Sequence, residues 1–347
     1  ELARLVLEAD DQGSETVGEL LERWFEIAAP SWTPWTVVQH RSVLDRHLIP
    51  RLGDVPVRHL GVHDVDVLYS QLRKGGGEGG GPLTPATVRR IHAVLRRALQ
   101  QALRWGWLTT NPAALATLPK ITAAEIVPPS SADVARLLAL AETEDLDFHC
   151  YLRVAASTGA RRSQMCGLQW RDLDLAGRSI LFARGIVDGP NGVVLKDTKS
   201  GRAYRAAIDD SLVELLTKHR ARSEARAAAG GVEIVTSGFV FSYEADASRP
   251  WRPDGVTNRF GRLRRAAGLE SVRLHDLRHY VATALLAAGV PVTTVAGRLG
   301  HARASTTLNV YAHFVAATDH HAADVLGALL TSASAPDPEE RGAPRSP

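Results

Sequence analysis

The sequence predicts a mostly α-helical protein with a small antiparallel β-sheet, built as a helical first unit followed by a larger α+β unit. Three observations lead there. Apolar residues recur in steps of three and four through most of the chain, the period of an amphipathic helix. One stretch, 180–208, breaks that period with short β-prone runs. A proline-rich stretch without periodicity, 120–130, separates the halves as a linker. At 347 residues the chain has room for about two domains.

Residues 1–15 read as an N-terminal extension and 16–119 as the helical unit. Its first helix carries Val17, Leu20, Leu21, Trp24, Phe25 and Ala28 on one stripe, with Thr16 as N-cap and Glu19 completing a capping box. A second helix is expected from about Thr36 to Leu48, stopped by Pro50 and Gly53. A third covers Val62 to Leu72. Six glycines between Lys74 and Pro82 make a loop. The strongest pattern of this half is Thr84 to Trp105: Thr84 caps, Pro85 suits the first turn, and Val88, Ile91, Val94, Leu95, Ala98 and Leu99 form the apolar stripe. Arg89, Arg90, Arg96, Arg97 and Arg104 lie off that stripe.

The second unit spans 131–330. A helix begins after Ser130 or Ser131, with Val134, Leu137, Leu138 and Ala141 on one side, and another covers about Phe148 to Ser157. The runs Ile180–Val187, Val193–Thr198 and Arg202–Ile208, parted by turn residues, predict an antiparallel three-stranded meander. From Ser211 to about Leu330 the pattern is helical again. Residues 331–347, rich in Pro, Ser and acid, read as a disordered tail.

Composition excludes several classes. No apolar run reaches the ~18 residues a membrane span needs, so no membrane partner is expected. Two cysteines, Cys150 and Cys166, are too few for a disulfide scaffold or a four-cysteine zinc site, and a cytoplasmic location is the default. The net charge is only +3, but residues 1–26 hold eight acids against two bases and residues 319–347 five against two. The intervening chain therefore carries +12. Residues 81–120 hold six bases and no acid. Such clustering suits a polyanion such as nucleic acid, although solvated helix faces give the same pattern.

Two segments of the second unit carry the chemistry. One is S-T-G-A-R-R-S-Q-M-C-G-L-Q-W-R-D-L-D-L, residues 157–175. The other is R-L-H-D-L-R-H-Y-V-A-T-A-L-L-A-A-G, residues 273–289, followed by L-G-H-A-R-A-S-T-T-L-N-V-Y-A-H-F, residues 299–314. These segments resemble the catalytic boxes of the tyrosine recombinase (phage integrase) family, and the resemblance covers about residues 16–330. Breaking a phosphodiester without metal or ATP needs a nucleophile, charge neutralisation of the phosphorane and an acid for the departing 5′ oxygen. Tyrosine can attack and keep the bond energy as an ester. Arginine forks grip non-bridging oxygens, and Lys or His moves the proton.

The resemblance assigns the residues one at a time. Arg161, in T-G-A-R, matches the first phosphate-gripping arginine, with Arg162 beside it as the competing choice. Lys199, in T-K-S-G, resembles the hairpin lysine that protonates the 5′-hydroxyl leaving group, and Lys196 is its rival. His275 and Arg278 match the H-x-x-R pair, where Arg278 is the second gripping arginine and His275 assists proton transfer. A spacing of three puts both on one helix face, whereas His279 is expected on a different face as a structural residue. His301, in L-G-H, matches a hydrogen-bonding contact to the phosphate, and Tyr311 the nucleophile. The sequence departs from the pattern at Gln164, where the family usually carries an acid that orients the first arginine. A glutamine oxygen can accept a hydrogen bond but brings no charge, and Asp172 is a carboxylate that could compensate.

The resemblance further implies a helical SAM-like core-binding domain whose Arg89, Arg90, Arg96 and Arg97 meet DNA, and an α+β catalytic domain. It implies cleavage and religation of double-stranded attachment-type sites through a 3′-phosphotyrosine, with no cofactor and no metal. A homo-tetramer on DNA, a Holliday junction, accessory directionality and bending proteins, and a bacterial cytoplasmic or nucleoid location complete the expectation. Integration or excision of a phage or mobile element fits best. A catalytically weak DNA-binding relative and a type IB-like topoisomerase are the alternatives.

Overall fold

The computed structural model describes residues 15–121, 127–189, 192–197, 203–308 and 319–333. The chain divides into two compact units, 1–125 and 126–347.

The first unit is helical. Helix α1 (Val17–Ala28) opens with the expected box: the Thr16 N–H donates to Glu19 Oε2 at 2.8 Å, and the Glu19 N–H to Thr16 Oγ1 at 3.2 Å. Its Val17, Leu20, Leu21 and Trp24 are buried. Helix α2 (Pro34–Val43) does not stop before Pro50 as expected. It passes through a wide π-type turn, Leu44–Leu48, into the short α3 (Ile49–Leu52), which contains the proline. Proline has no N–H to offer the carbonyl four residues back and would crowd it. The wide turn relieves the crowding, and Arg51 Nη1 donates to the Arg46 and His47 carbonyls at 3.0 and 3.2 Å. Helices α4 (Val62–Gly75), α5 (Pro85–Arg104) and α6 (Pro112–Leu115) complete the unit. The predicted stripe of α5 is buried, and each fully buried leucine contributes about 1.5–3 kcal/mol. Tyr69 and His92 form a buried polar pair at 2.6 Å inside this core. Arg89, Arg90, Arg96 and Arg97 are all exposed.

In the second unit, α7 (Ser131–Glu144) starts from a Ser130/Asp133 capping box and packs on α8 (Leu146–Thr158). The short α9 (Arg162–Cys166) follows. The β region is not one meander. The expected first strand is two, β2 (Ser179–Phe182) and β3 (Arg184–Gly189), broken at Ala183. β2 lies between β1 (Leu173–Asp174) and β5 (Tyr204–Ala207), while β3 pairs with β4 (Gly192–Asp197) in a separate two-stranded sheet. Packing explains the break. Ile180 and Phe182 enter the main core. Beyond Ala183 the chain turns to lay Gly185 against Ser163 and Gly167, where a Cβ would have little room, and to ion-pair Arg184 with the buried Asp172.

Helix α10 (Asp210–Ala229) is followed by an irregular stretch, 230–252, where continuous helix was expected. Isolated bridges pair Gln169 with Phe239 and Ser242 with Pro250 there. That stretch delivers Phe241 and Trp251 to an aromatic core with Phe148, Tyr151 and Phe260. Helices α11 (Pro253–Ala266), α12 (Asp276–Ala287) and α13 (Val292–Arg298) then follow. Helix α14 (Asp319–Ala333) carries Val325, Leu326, Leu329 and Leu330 exposed.

Candidate active site

The site is built on the corner where α8 ends. The α8 N-terminus is capped by Asp145, and its last residue, Thr158, returns its hydroxyl to the Val154 carbonyl at 2.7 Å. Gly159 then turns left-handed, φ +65°, and a Cβ there would overlap the Leu299 side chain and crowd Val281. Only glycine meets both demands. The extended Arg161 (φ −70°, ψ 147°) follows, with its side chain exposed.

Two further elements close on the same corner through arginines. Arg278, in the first turn of α12, is 4% exposed and donates Nη1 to the Gly159 carbonyl at 2.7 Å. Arg298, the last residue of α13, donates Nε and Nη2 to the Ser157 carbonyl at 3.2 and 2.7 Å. Carbonyls left without partners at the C-terminus of a helix thus recruit cations, which the helix dipole also favours. His275 occupies the N-cap position of α12 without a capping bond from its side chain, and His301 follows α13 at the left-handed Gly300, with its Nδ1 2.7 Å from the Thr307 hydroxyl.

The electrostatics tie these groups together. Both imidazoles are held at a pKa of about 4. For His301 burial acts first, then the charges of Arg278 and Arg161. His275 keeps part of its ring at the surface. The packing around the rest, then His279, Arg278 and Arg161, lower it against the opposing pull of Asp276. Both rings are therefore neutral at pH 7, beside two guanidinium groups. Arg161, His275, Arg278 and His301, four of the six expected residues, gather at this corner. Lys199 and Tyr311 lie outside the described residues, as do the side chain of Lys196 and the tail 334–347.

Two expectations need correction, those for His279 and Asp172. His279 is not on a different face: one helical turn beyond His275, its ring meets that of His275 edge-on at 5.1 Å. Asp172 does not serve Arg161; its carboxylate accepts the Gln169 N–H at 2.9 Å and pairs with Arg184. Gln164, 4% exposed, holds the Arg161 backbone: its Oε1 accepts the Arg161 N–H at 3.1 Å. Arg162 turns away, donating Nη1 to the Pro253 carbonyl and Asp254 Oδ1, both at 3.2 Å, and to the Thr257 hydroxyl at 2.5 Å.

Sequence reasoning missed Tyr204, at the start of β5. Its hydroxyl donates to Gln164 Oε1 at 3.2 Å, and it lies close enough to Arg278 for that guanidinium's charge to act on it. Its ring lies where a Cβ on Gly300 would be. A tyrosine heading a short strand gives no signal, but the glycine before His301 hints at an aromatic neighbour. Among the described residues no cluster of three or more His, Cys, Asp or Glu could hold a metal ion, and no helix is long and apolar enough to cross a membrane.

Residues 130–317 match the phage integrase family. The chain is 25% identical to a tyrosine recombinase XerC-like protein of Caldanaerobacter subterraneus subsp. tengcongensis, over 91% of this chain and 83% of the relative. It is 23% identical to a putative prophage phiRv2 integrase of Mycobacterium tuberculosis, over 92% of this chain and 80% of the relative. Its fold resembles the Tn1549 transposon integrase in complex with transposon right end DNA, with a TM-score of 0.76 at 18% identity, over 89% of this chain and 99% of the other. It also resembles a lambda integrase tetramer bound to a Holliday junction, with a TM-score of 0.61 at 19% identity, over 86% of this chain and 81% of the other.

Proposed function

The chain belongs to the phage integrase family, and from that premise we propose that it is a site-specific recombinase that cuts and rejoins DNA through a 3′-phosphotyrosine bond, integrating or excising a phage or mobile element. The observation that carries this reading is the corner itself: two arginines and two neutral imidazoles converge where a phosphate could be gripped.

In this scheme Tyr311 attacks the scissile phosphate. The tyrosine–phosphorus bond forms and the bond to the 5′ oxygen breaks. Arg161 and Arg278 hold the non-bridging oxygens of the phosphorane with charge-assisted hydrogen bonds. His301 adds a hydrogen bond. His275 receives the tyrosine proton, a task open to an imidazole that is neutral at pH 7 and whose proton affinity rises when a phosphate anion arrives beside it. Lys199 gives a proton to the leaving 5′ oxygen. A 5′-hydroxyl from the partner duplex then reverses the steps. The ester conserves the bond energy, so the scheme requires no cofactor. Residues 131–330 act as the catalytic domain. Residues 16–119 act as the core DNA-binding domain, joined through 120–130, with Arg89, Arg90, Arg96 and Arg97 on backbone phosphates. Strand exchange in a homo-tetramer on two duplexes is supported by the lambda integrase tetramer on a Holliday junction.

A nicked suicide duplex carrying the attachment site tests this reading. The chain is expected to form a denaturation-resistant adduct at the 3′ phosphate, unaffected by EDTA, and Tyr311→Phe to lose it while still binding DNA. No adduct with the unaltered chain, or an undiminished one with Tyr311→Phe, would overturn it.

A further inference from the structure

We propose that Tyr204 is a positioning residue that locks the two phosphate-gripping arginines and His301 into one unit. The inference rests on the recombinase reading above and deepens it.

The connections run through a single hydroxyl. Tyr204 donates to Gln164 Oε1, and that same oxygen accepts the Arg161 N–H, so the backbone that launches Arg161 is fixed by a neutral relay. On its other side the hydroxyl lies within reach of the charge of Arg278, whose Nη1 is anchored on the Gly159 carbonyl. The ring seats against Gly300, the residue before His301, at a distance no side chain there would permit. Arg161, Arg278 and His301 come from three separate stretches of chain, and Tyr204 on β5 touches the support of each.

The environment suits a fixed donor. Gln164 is 4% exposed and Arg278 is 4% exposed, so water competes little for these bonds. Burial raises the phenol pKa, with the charges of Arg278 and Arg161 acting against it, so the hydroxyl stays protonated and keeps its direction. Phenylalanine would fill the same space and leave the Gln164 oxygen with one donor fewer. The effect of Tyr204 passes through the arginines.

The test compares two suicide duplexes, one with an ordinary scissile phosphate and one with a methylphosphonate there, built on the site sequence recovered from DNA trapped by the unaltered chain. A methylphosphonate replaces a charged oxygen with a methyl group and lessens the need for a well-aimed guanidinium. Tyr204→Phe is expected to bind the duplex normally and to cleave the phosphate roughly 10- to 100-fold more slowly, the range for losing a polar partner of a charged group. The defect is expected to shrink on the methylphosphonate, as that of Arg278→Ala should. Gln164→Met is expected to follow the same pattern, and the double variant to be no worse than the worse single variant, because both break one relay. Tyr204→Phe cleaving at the unaltered rate, or showing equal defects on both duplexes, would overturn the positioning role. An unaltered chain that forms no adduct would instead remove the recombinase reading beneath it.

Discussion

On α5 the side chains of Arg89, Arg90, Arg96 and Arg97 stand in solvent, whereas at the corner of the second unit Arg278 is almost wholly buried. The helix arginines sit opposite an apolar stripe, and solvent hydrates them at little cost. Burying a guanidinium costs several kcal/mol unless it finds polar partners, and at the corner the Gly159 carbonyl accepts from Arg278 Nη1 while the Tyr204 hydroxyl lies close by. The first arrangement attracts a polyanion without fixing where its phosphates lie. The second fixes a donor before any phosphate arrives, and that preorganisation is what phosphoryl transfer rewards.

Breaking the corner should have the largest effect. Arg278→Ala and Arg161→Ala are each expected to lower the rate of adduct formation by roughly 10²–10³, the usual cost of one preorganised donor. Duplex affinity should change far less. Cleavage at the unaltered rate in either variant would place the gripping arginines elsewhere. Alanine at Arg89, Arg90, Arg96 and Arg97 together should do the reverse. Affinity should fall, and the slope of log affinity against log salt should flatten by up to about 0.9 for each phosphate left unneutralised. Cleavage at saturating protein should persist. An unchanged salt slope would mean that these arginines are only a solvated face.

Smaller effects sharpen the contrast within the corner. Arg162→Ala gives up bonds to Pro253, Asp254 and Thr257 rather than a grip on phosphate. Thermal unfolding should show a loss of about 1 kcal/mol, with the cleavage rate kept. A further effect, confined to acid pH, comes from His301. His301 titrates near 4 in the fold and near 6.5 in the open chain. Between those values the unfolded state binds more protons, so this group's contribution lowers stability as pH falls from about 6.5 towards 4 and is flat above. Across that window the melting temperature of the unaltered chain should fall more steeply than that of His301→Gln; parallel curves would refute the shift.

Much of this was legible in the sequence where local chemistry decides. The Thr16/Glu19 box, the helix start after Ser130 and the stripe of α5 are set by neighbours three or four positions apart. The corner was legible through the resemblance of its boxes to the tyrosine recombinase family, since an H-x-x-R spacing alone occurs by chance in many helices. What stayed hidden depends on distant partners. Nothing local to Ala183 says that the strand breaks so that Gly185 can reach Ser163 and Arg184 can reach Asp172. Pro50 reads as a stop until Arg51 is seen covering the carbonyls around it. The partnership of Tyr204 with Gln164, Arg278 and Gly300 joins three stretches that no period connects. The places of Lys199 and Tyr311 rest on the motif alone, because both lie outside the described residues.

The most direct measurement of the central claim is the identity of the atom joined to DNA. The trapped adduct can be digested with protease and nuclease and the nucleotide-bearing peptide sequenced by mass spectrometry. Nucleophilic attack by Tyr311 predicts a single modified peptide with the nucleotide on that residue through its 3′ phosphate. A nucleotide on any other residue, or joined through a 5′ phosphate, would contradict it.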